Sequence, residues 1–359
     1  MLKFKTNRVS RTYKGGKLLE DFKNSGNIFD SNKPEEWIGS TIIARNYNEN
    51  KNNEGLSFIN NNGEDIRLRE LLKEDPNFYL GQKHIDKFGL NTALLVKLLD
   101  SAERLSIQVH PGKKDAKKYF NSIHGKTEAW YILNKRNIKD HSSCIWLGFK
   151  PGITEDKWRK MFIEQNVDEM LKSMHKFNVE PGDVYLIDGG IPHAIGAGCF
   201  LLEIQEPTDL TLRVEKVKFQ GKEAPEELYH QGIGFDKMFN CFNYKGYTRD
   251  EILGKNKLKK KVKNFNKNNV VYDVITYEDT DCFSMEEYFI KKNYIFENNE
   301  KRFSIFIVIS GKGEVILNGN KTTLNRGESY FLPAGVNKLI FKNKFDEGLK
   351  LLRCLPPKI

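Results

Sequence analysis

Two apolar periods alternate along the chain. In LSIQVH (105–110) apolar and polar residues take turns, which predicts a strand with one face in a core and the other outside it. TEAWYIL (127–133) is rich in aromatic and β-branched residues and predicts a second strand. VYLIDGGIPHAIGAGCFLLEIQ (184–205) reads as strands broken by Gly and Pro. FSIFIVISGKGEVILNGNKTTLNRGESYFLPAGVNKLIF (303–341) reads as a series of short strands with tight turns at Gly-Lys-Gly and at Asn318-Gly319. Helical spacing is expected in two places. One is about 64–100, from EDIRLRELLKED and NTALLVKLLDSAE. The other is an insertion over about 154–178, with Thr154 as N-cap and Trp158, Phe162, Val167 and Leu171 on one face. Residues 1–60 read as short strands and loops, with a polar turn at NYNENKNNEG (46–55). TRDEILGK (248–255) predicts a short helix with Thr248 and Glu251 as a capping box, and KNKLKKKVKNFNKNN (255–269) a surface connection.

No alternating strand–helix–strand pattern predicts a parallel sheet, and no P-loop or GxGxxG is present. Two separate β-rich regions predict a pair of related barrels. VEPGDVYLIDGGIPHAIG (179–196) and LNRGESYFLPAGVNKLI (324–340) both run through glycine, an acid, a four-residue strand and a Gly-rich turn. They resemble the second conserved motif of cupins. His193 closes the turn in the first copy; Lys338 stands at that place in the second. The expected fold is therefore mainly β, with two cupin-type barrels or jelly rolls and a helical insertion. The expected division is a metal-binding barrel over 1–243, a basic connection with a short helix over 244–269, and a C-terminal barrel without a metal site over 270–359.

Composition narrows the function. The 359 residues carry a formal net charge of +10, but much of the excess is lysine spread among Asn-rich loops, so a solvated surface is expected and no nucleic-acid partner. The five cysteines (Cys144, Cys199, Cys241, Cys282, Cys354) are scattered, and no CxxC occurs, which argues against a disulfide framework and a cysteine-built zinc site. No apolar run suits a signal peptide, and none approaches the roughly 20 residues of a membrane helix. A cytoplasmic protein without membrane partners is expected, as a monomer or homodimer.

The candidate chemistry begins in LSIQVH. Gln108 and His110 sit two apart, so a strand projects them from one face. Glu128 and His193 lie in strand-like contexts further on. Two imidazoles, a carboxylate and an amide oxygen suit a divalent, borderline ion: zinc first, with manganese, cobalt or iron as alternatives. His84, His124, His141, His175 and His230 read as residues of loops or polar helices and are assigned no metal role.

SIQVHP, GKTEAWYIL, GGIPHAIGAG and LLEIQEPTDLTLRVE, in that order along the chain, resemble the signature segments of class I mannose-6-phosphate isomerases, the zinc-dependent cupin type. The likeness is strong over roughly 90–215 and looser elsewhere, and without a long helical domain the chain resembles the short bacterial form. The resemblance implies one metal held by Gln108, His110, Glu128 and His193. It also implies a glutamate and an arginine ten residues apart, here Glu203 and Arg213. The implied substrate is a hexose phosphate, and the implied reaction interconverts mannose 6-phosphate and fructose 6-phosphate. That chemistry needs a proton acceptor, for which Glu203 is preferred, and cations for the phosphate or the charged sugar oxygens, for which Arg213, Lys97 and Lys126 are candidates. Asp209 is a candidate for orienting a neighbour. Trp37 in PEEWIGS resembles a pocket tryptophan of the family, with core packing an equal alternative. Glu206 would repel an anionic substrate unless it points away, and strand alternation turns it outward. The rival reading is a non-catalytic cupin that binds a sugar phosphate as a sensor or regulator.

Overall fold

The structure, a computed structural model, describes residues 1–45, 53–61, 63–138, 142–216, 218–219 and 222–359; most of the polar turn expected at 46–55, and His141, lie outside them. Two barrels are built, each from a long and a short antiparallel sheet. In the first, the long sheet centres on Glu128–Lys135, Cys199–Gln205 and Leu95–Asp100, and the short sheet on Cys144–Phe149, His193–Ile195 and Gln108–Val109. In the second, the long sheet centres on Ser304–Ser310, Leu349–Leu355 and Ser284–Ile290, and a four-stranded sheet closes it. The sheets cross the expected division at its edges. Leu2–Lys3 pairs with Ser329–Leu332 of the C-terminal barrel, and Lys257–Leu258 pairs with Val184–Tyr185 of the first.

The two long sheets pack against each other. Val96, Leu98, Ala129, Tyr131, Leu202 and Ile204 leave the first barrel on its outer face and meet Met285, Ile305, Ile307, Phe331, Leu352 and Cys354 of the second. The alternate residues Leu99, Trp130, Ile132 and Leu201 point inward to the first barrel's own core. Helices Glu155–Ile163 and Val167–Lys172 cover the outer face of the short sheet, with Trp158, Phe162 and Met170 packed on Ile107, Val109 and Phe149.

This packing explains where the structure departs from the helical pattern. ALLVKLLD is not a helix. Leu95–Asp100 is a central strand, buried at all six positions, and a strand covered on both faces loses the alternation that marks it. The rest of 64–100 splits into a hairpin strand, Glu64–Arg67, and three short helices, Leu68–Glu74, Pro76–Leu80 and Gln82–Phe88. The second helical region ends earlier than expected, because Met174–Asn178 is a strand and carries His175. Residues 1–60 contain a helix, Lys17–Lys23, besides their strands. The lysine–asparagine run is itself an exposed edge strand over Lys261–Asn266. Thr154 does cap its helix, by accepting from the Lys157 N–H, and Thr248 with Glu251 forms the capping box.

One close approach ties the barrel to its site. A Cβ on Gly189 would stand 2.5 Å from the Gly112 Cα and 2.7 Å from the Gly112 nitrogen, both rigid backbone. Its neighbour Gly190 donates its N–H to the carbonyl of His110 at 2.7 Å. Gly189→Ala is therefore expected to force the turn off the Pro111-Gly112 segment and to cost about 1–3 kcal/mol of stability, measured by urea unfolding. An unchanged midpoint would show that the turn can move away freely.

Candidate active site

The interior faces of the two sheets meet in the first barrel. On the short sheet His193, Gln108 and Arg213 lie abreast, since Gln108 is in register with His193 on one side and Arg213 on the other. On the long sheet Gln205 faces Glu128 in register, and Glu203 faces Lys97. Strand alternation turns Lys97, Glu128 and Glu203 to the same inner face.

His110, Glu128 and His193 offer three ligand atoms within 4.8 Å of one another, a group that can hold a metal ion. His110 Nε2 lies 3.1 Å from Glu128 Oε2, and His193 Nε2 lies 3.5 Å from Glu128 Oε1. The Gln108 amide nitrogen is 3.2 Å from His193 Nε2, and a half turn of the amide presents its oxygen instead. Each imidazole is held from behind: His110 Nδ1 is 2.8 Å from the Leu210 carbonyl, and His193 Nδ1 is 2.9 Å from that of Ile191. A hydrogen on each Nδ1 leaves the two inward Nε2 atoms as lone-pair donors. Burial, helped by the Lys126 charge, pushes His110 down to about 3, and burial lowers His193 too, so both rings are neutral. Burial alone would raise Glu128, but Lys126 and the imidazoles hold it well below the usual carboxylate range. Neutral imidazoles beside an ionised carboxylate are the protonation states a divalent cation requires. The same lone pairs receive the Lys126 ammonium, which bonds His110 Nε2 at 2.7 Å and also bonds Glu128 Oε2.

A cavity of about 270 Å³ adjoins this group. Lys97, Gln108, Lys126, Glu203 and Arg213 line it, together with Arg11, Tyr13, Glu35 and Asp209. Lys97 Nζ is 3.2 Å and Lys126 Nζ is 3.7 Å from Glu203 Oε1. Burial raises the Glu203 pKa in spite of both lysines. Lys97 loses affinity for its proton through burial, but Glu203 and Glu35 reverse this and raise it. Arg11 bonds Glu35 at 2.9 Å and Asp209 at 3.3 Å. Burial would raise Asp209, yet Arg11 and Lys97 bring it down to about 2. Arg213 differs from the other cations. Its hydrogen bonds go to the carbonyls of Thr211 and Leu228, and it forms no ion pair among the described residues. Burial lowers its pKa to about 10, against the pull of Asp209.

The structure thus brings all eight candidate side chains to one place. Trp37 is buried beneath them with Val9, Ala44 and Leu95; its indole N–H donates to Glu35 at 2.8 Å, and the Lys97 ammonium lies 4.9 Å from its ring centre. Glu206 corrects the expectation of an outward side chain. It is turned away from the cavity but is 1% exposed, and it accepts from the N–H groups of Gly125 and Thr127. His84 and His230 are buried in helices, and His175 is a buried strand residue bonded to the Tyr247 carbonyl at 2.8 Å. Arg11, Tyr13 and Glu35 were missed. Glu35 had a signal, since it shares a strand face with Trp37 two positions on. Arg11 and Tyr13 sit in a loop with no periodicity to read.

Residues 32–138 match the family model of the type I phosphomannose isomerase catalytic domain, and residues 273–345 that of the mannose-6-phosphate isomerase cupin domain. The chain is similar to mannose-6-phosphate isomerase ManA of Bacillus subtilis, with 26% identity over 277 residues, 76% of this chain and 77% of that protein. Among solved structures it resembles the mannose 6-phosphate isomerase from Bacillus subtilis (TM-score 0.74, 21% identity, 98% of each chain). It also resembles a mutant of phosphomannose isomerase from Salmonella typhimurium (TM-score 0.71, 15% identity, 100% of each chain). At these identities the structural likeness is one of fold: the two-barrel cupin architecture.

His110→Ala is expected to remove bound metal, measured by elemental analysis of the purified protein, because it deletes one of the three clustered atoms that can hold an ion. His175→Ala should keep its metal and lose only about 1 kcal/mol of stability, from one hydrogen bond. Equal metal loss in the two variants would mean that the ligand group lies elsewhere.

Proposed function

The chain is a member of the type I phosphomannose isomerase family, and we propose that its site interconverts mannose 6-phosphate and fructose 6-phosphate by proton transfer through an enediolate. The observation that carries this reading is a cavity lined by Glu203, a carboxylate with a raised pKa, and by Arg213, which forms no ion pair among the described residues, directly adjoining the His110–Glu128–His193 group. Gln108, His110, Glu128 and His193 would hold the ion, for which zinc is proposed ahead of manganese, cobalt or iron. Such an ion supplies Lewis acidity towards the sugar's carbonyl and hydroxyl oxygens.

The chain's own residues do the rest. Glu203 accepts the proton from C2 of the aldose; the electrons of the C2–H bond form a C1–C2 double bond, and those of the carbonyl pass to O1. Glu203 then returns the proton to C1, while the hydroxyl proton of O2 passes to O1, leaving the ketone at C2. Desolvation suits Glu203 to this exchange, because a raised pKa brings the acceptor closer to the carbon acid it serves. Lys97 fixes one of its oxygens, and Lys126 lends positive charge between Glu203 and Glu128. Arg213 takes the anionic end of the sugar phosphate. It is assigned this role because Lys97 and Lys126 are already committed to carboxylates. A monomer or a homodimer is proposed. Five buried free cysteines suit a reducing compartment, and the cytoplasm is the proposed location. No helix among the described residues is long and apolar enough to cross a membrane.

A binding protein without turnover would need the anion site but not the buried proton acceptor. Glu203→Gln is expected to keep its metal and bind substrate, yet to slow turnover about a hundredfold to ten thousandfold. Proton exchange at C2 should slow in parallel; exchange at the wild-type rate in metal-loaded variant would remove Glu203 from the base role. Arg213→Lys replaces a planar fork by a point charge of different reach. It should lower kcat/KM by about tenfold to a thousandfold, or roughly 1.4–4 kcal/mol. Near-wild-type kinetics would move the anion site to Lys97 or Lys126.

A further inference from the structure

We propose that Glu206 is a positioning residue for this reaction: from behind the cavity wall it clips the backbone on both sides of Lys126 and so fixes where the Lys126 ammonium stands. The inference rests on the isomerase reading above and extends it to a residue that lines no part of the cavity.

The geometry is a two-pronged clasp. Glu206 Oε1 accepts the Gly125 N–H at 3.3 Å, and Oε2 accepts the Thr127 N–H at 3.0 Å. The N–H between them, that of Lys126, donates to the Pro111 carbonyl at 3.0 Å. Three successive backbone donors are thus held, two by one side chain. The clasp is reciprocal, for the Glu206 N–H donates to the Thr127 carbonyl at 3.1 Å, and the Thr208 hydroxyl donates to the Gly125 carbonyl at 2.7 Å. Gln205 in turn ties down the Glu206 and Thr208 carbonyls, at 2.9 and 2.6 Å. Gly125 is close-packed as well: a Cβ there would stand 2.8 Å from the Lys113 nitrogen and the Pro111 oxygen.

A carboxylate is needed for this, because only it turns an acceptor oxygen to each of two donors. An amide would set its own NH₂ against one of them. Burying that carboxylate has a cost, and its ion-pair contact among the described residues is His124 Nδ1 at 3.9 Å, so the group is not there to form a strong ion pair. What it secures is the root of a lysine whose tip meets His110, Glu128 and Glu203 at once. A reacting group displaced by about 1 Å can lose a hundredfold in rate.

The test is a double-mutant cycle on the full-length, metal-loaded protein, with Glu206→Gln and Lys126→Ala singly and together. Glu206→Gln should lower kcat by about tenfold to a hundredfold, leave KM within about twofold, and retain full metal content by elemental analysis. In the Lys126→Ala background the same change should alter kcat by less than about twofold, since Glu206 acts only through Lys126. Losses that multiply across the cycle would overturn the proposal, because a merely structural residue costs the same with or without Lys126. Loss of metal in Glu206→Gln would also overturn it, by showing that the effect runs through Glu128. If Glu206→Gln does not fold, the cycle is run with Glu206→Asp, which keeps the charge but shortens the reach, and the same criteria apply. Absence of isomerase turnover in the wild-type protein would strike the isomerase reading itself and this inference with it.

Discussion

An ionised carboxylate with 1% exposure has to be neutralised where it stands, and the interior of the first barrel is arranged around that requirement at Glu128. Lys126 meets it directly, its ammonium bonded to a Glu128 oxygen. Lys126 then reaches Glu203, Glu203 holds Lys97, and Glu35 and Asp209 are joined through Arg11. Charges of opposite sign follow one another from the His110–Glu128–His193 group to the cavity wall. Removing one partner would strand its neighbour in a medium that cannot solvate it, so the array is held as a unit.

Such an array can be kept only in a rigid barrel, and the second barrel contributes to that rigidity. Its long sheet covers the outer face of the first barrel's long sheet, so the strands carrying Lys97, Glu128 and Glu203 are buried on both sides. The second barrel's own interior is filled with Tyr288, Phe296, Phe306 and Phe341, and Arg353 is paired there with Glu286. Lys338, at the position matching His193, is more than half exposed and pairs with Glu297 at 3.3 Å. A tightly packed aromatic core gives support, whereas the first barrel gives up packing volume to hold polar groups.

The same double burial decided what was legible in the sequence. That Gln108, His110, Glu128 and His193 come together could be anticipated because each sits beside a local marker: strand alternation, a proline stop, a Gly-rich turn. Leu95–Asp100 could not be read as a strand, because covering both faces makes it uniformly apolar and leaves helix and strand indistinguishable by period. Lys97 was still named, because the chemistry implied by the family resemblance calls for cations near the phosphate or the sugar oxygens. Glu206 was read as outward because alternation was carried past the end of its strand at Gln205. Beyond that end the chain turns, and the side chain folds back on the 125–127 backbone. Arg11 and Tyr13 come from a loop far away in sequence, and only the closed fold brings them to Glu35.

The charge balance of the finished site explains why it would need both an ion and an anionic substrate. Arg11, Lys97, Lys126 and Arg213 face Glu35, Glu128, Glu203 and Asp209, and the more exposed Arg104 and Glu103 add one charge of each sign, so the site is formally neutral. Burying this many charges together favours such a balance. A divalent cation on the His110–Glu128–His193 group would add two positive charges that no side chain here offsets. A hexose phosphate brings close to two negative charges at neutral pH, its second phosphate ionisation lying near pH 6. The two additions cancel, with Arg213, which forms no ion pair among the described residues, as the proposed receiving end. An uncharged hexose would leave that excess standing in a desolvated cavity. The total charge of the site therefore supports the proposed phosphorylated substrate independently of the role proposed for Arg213.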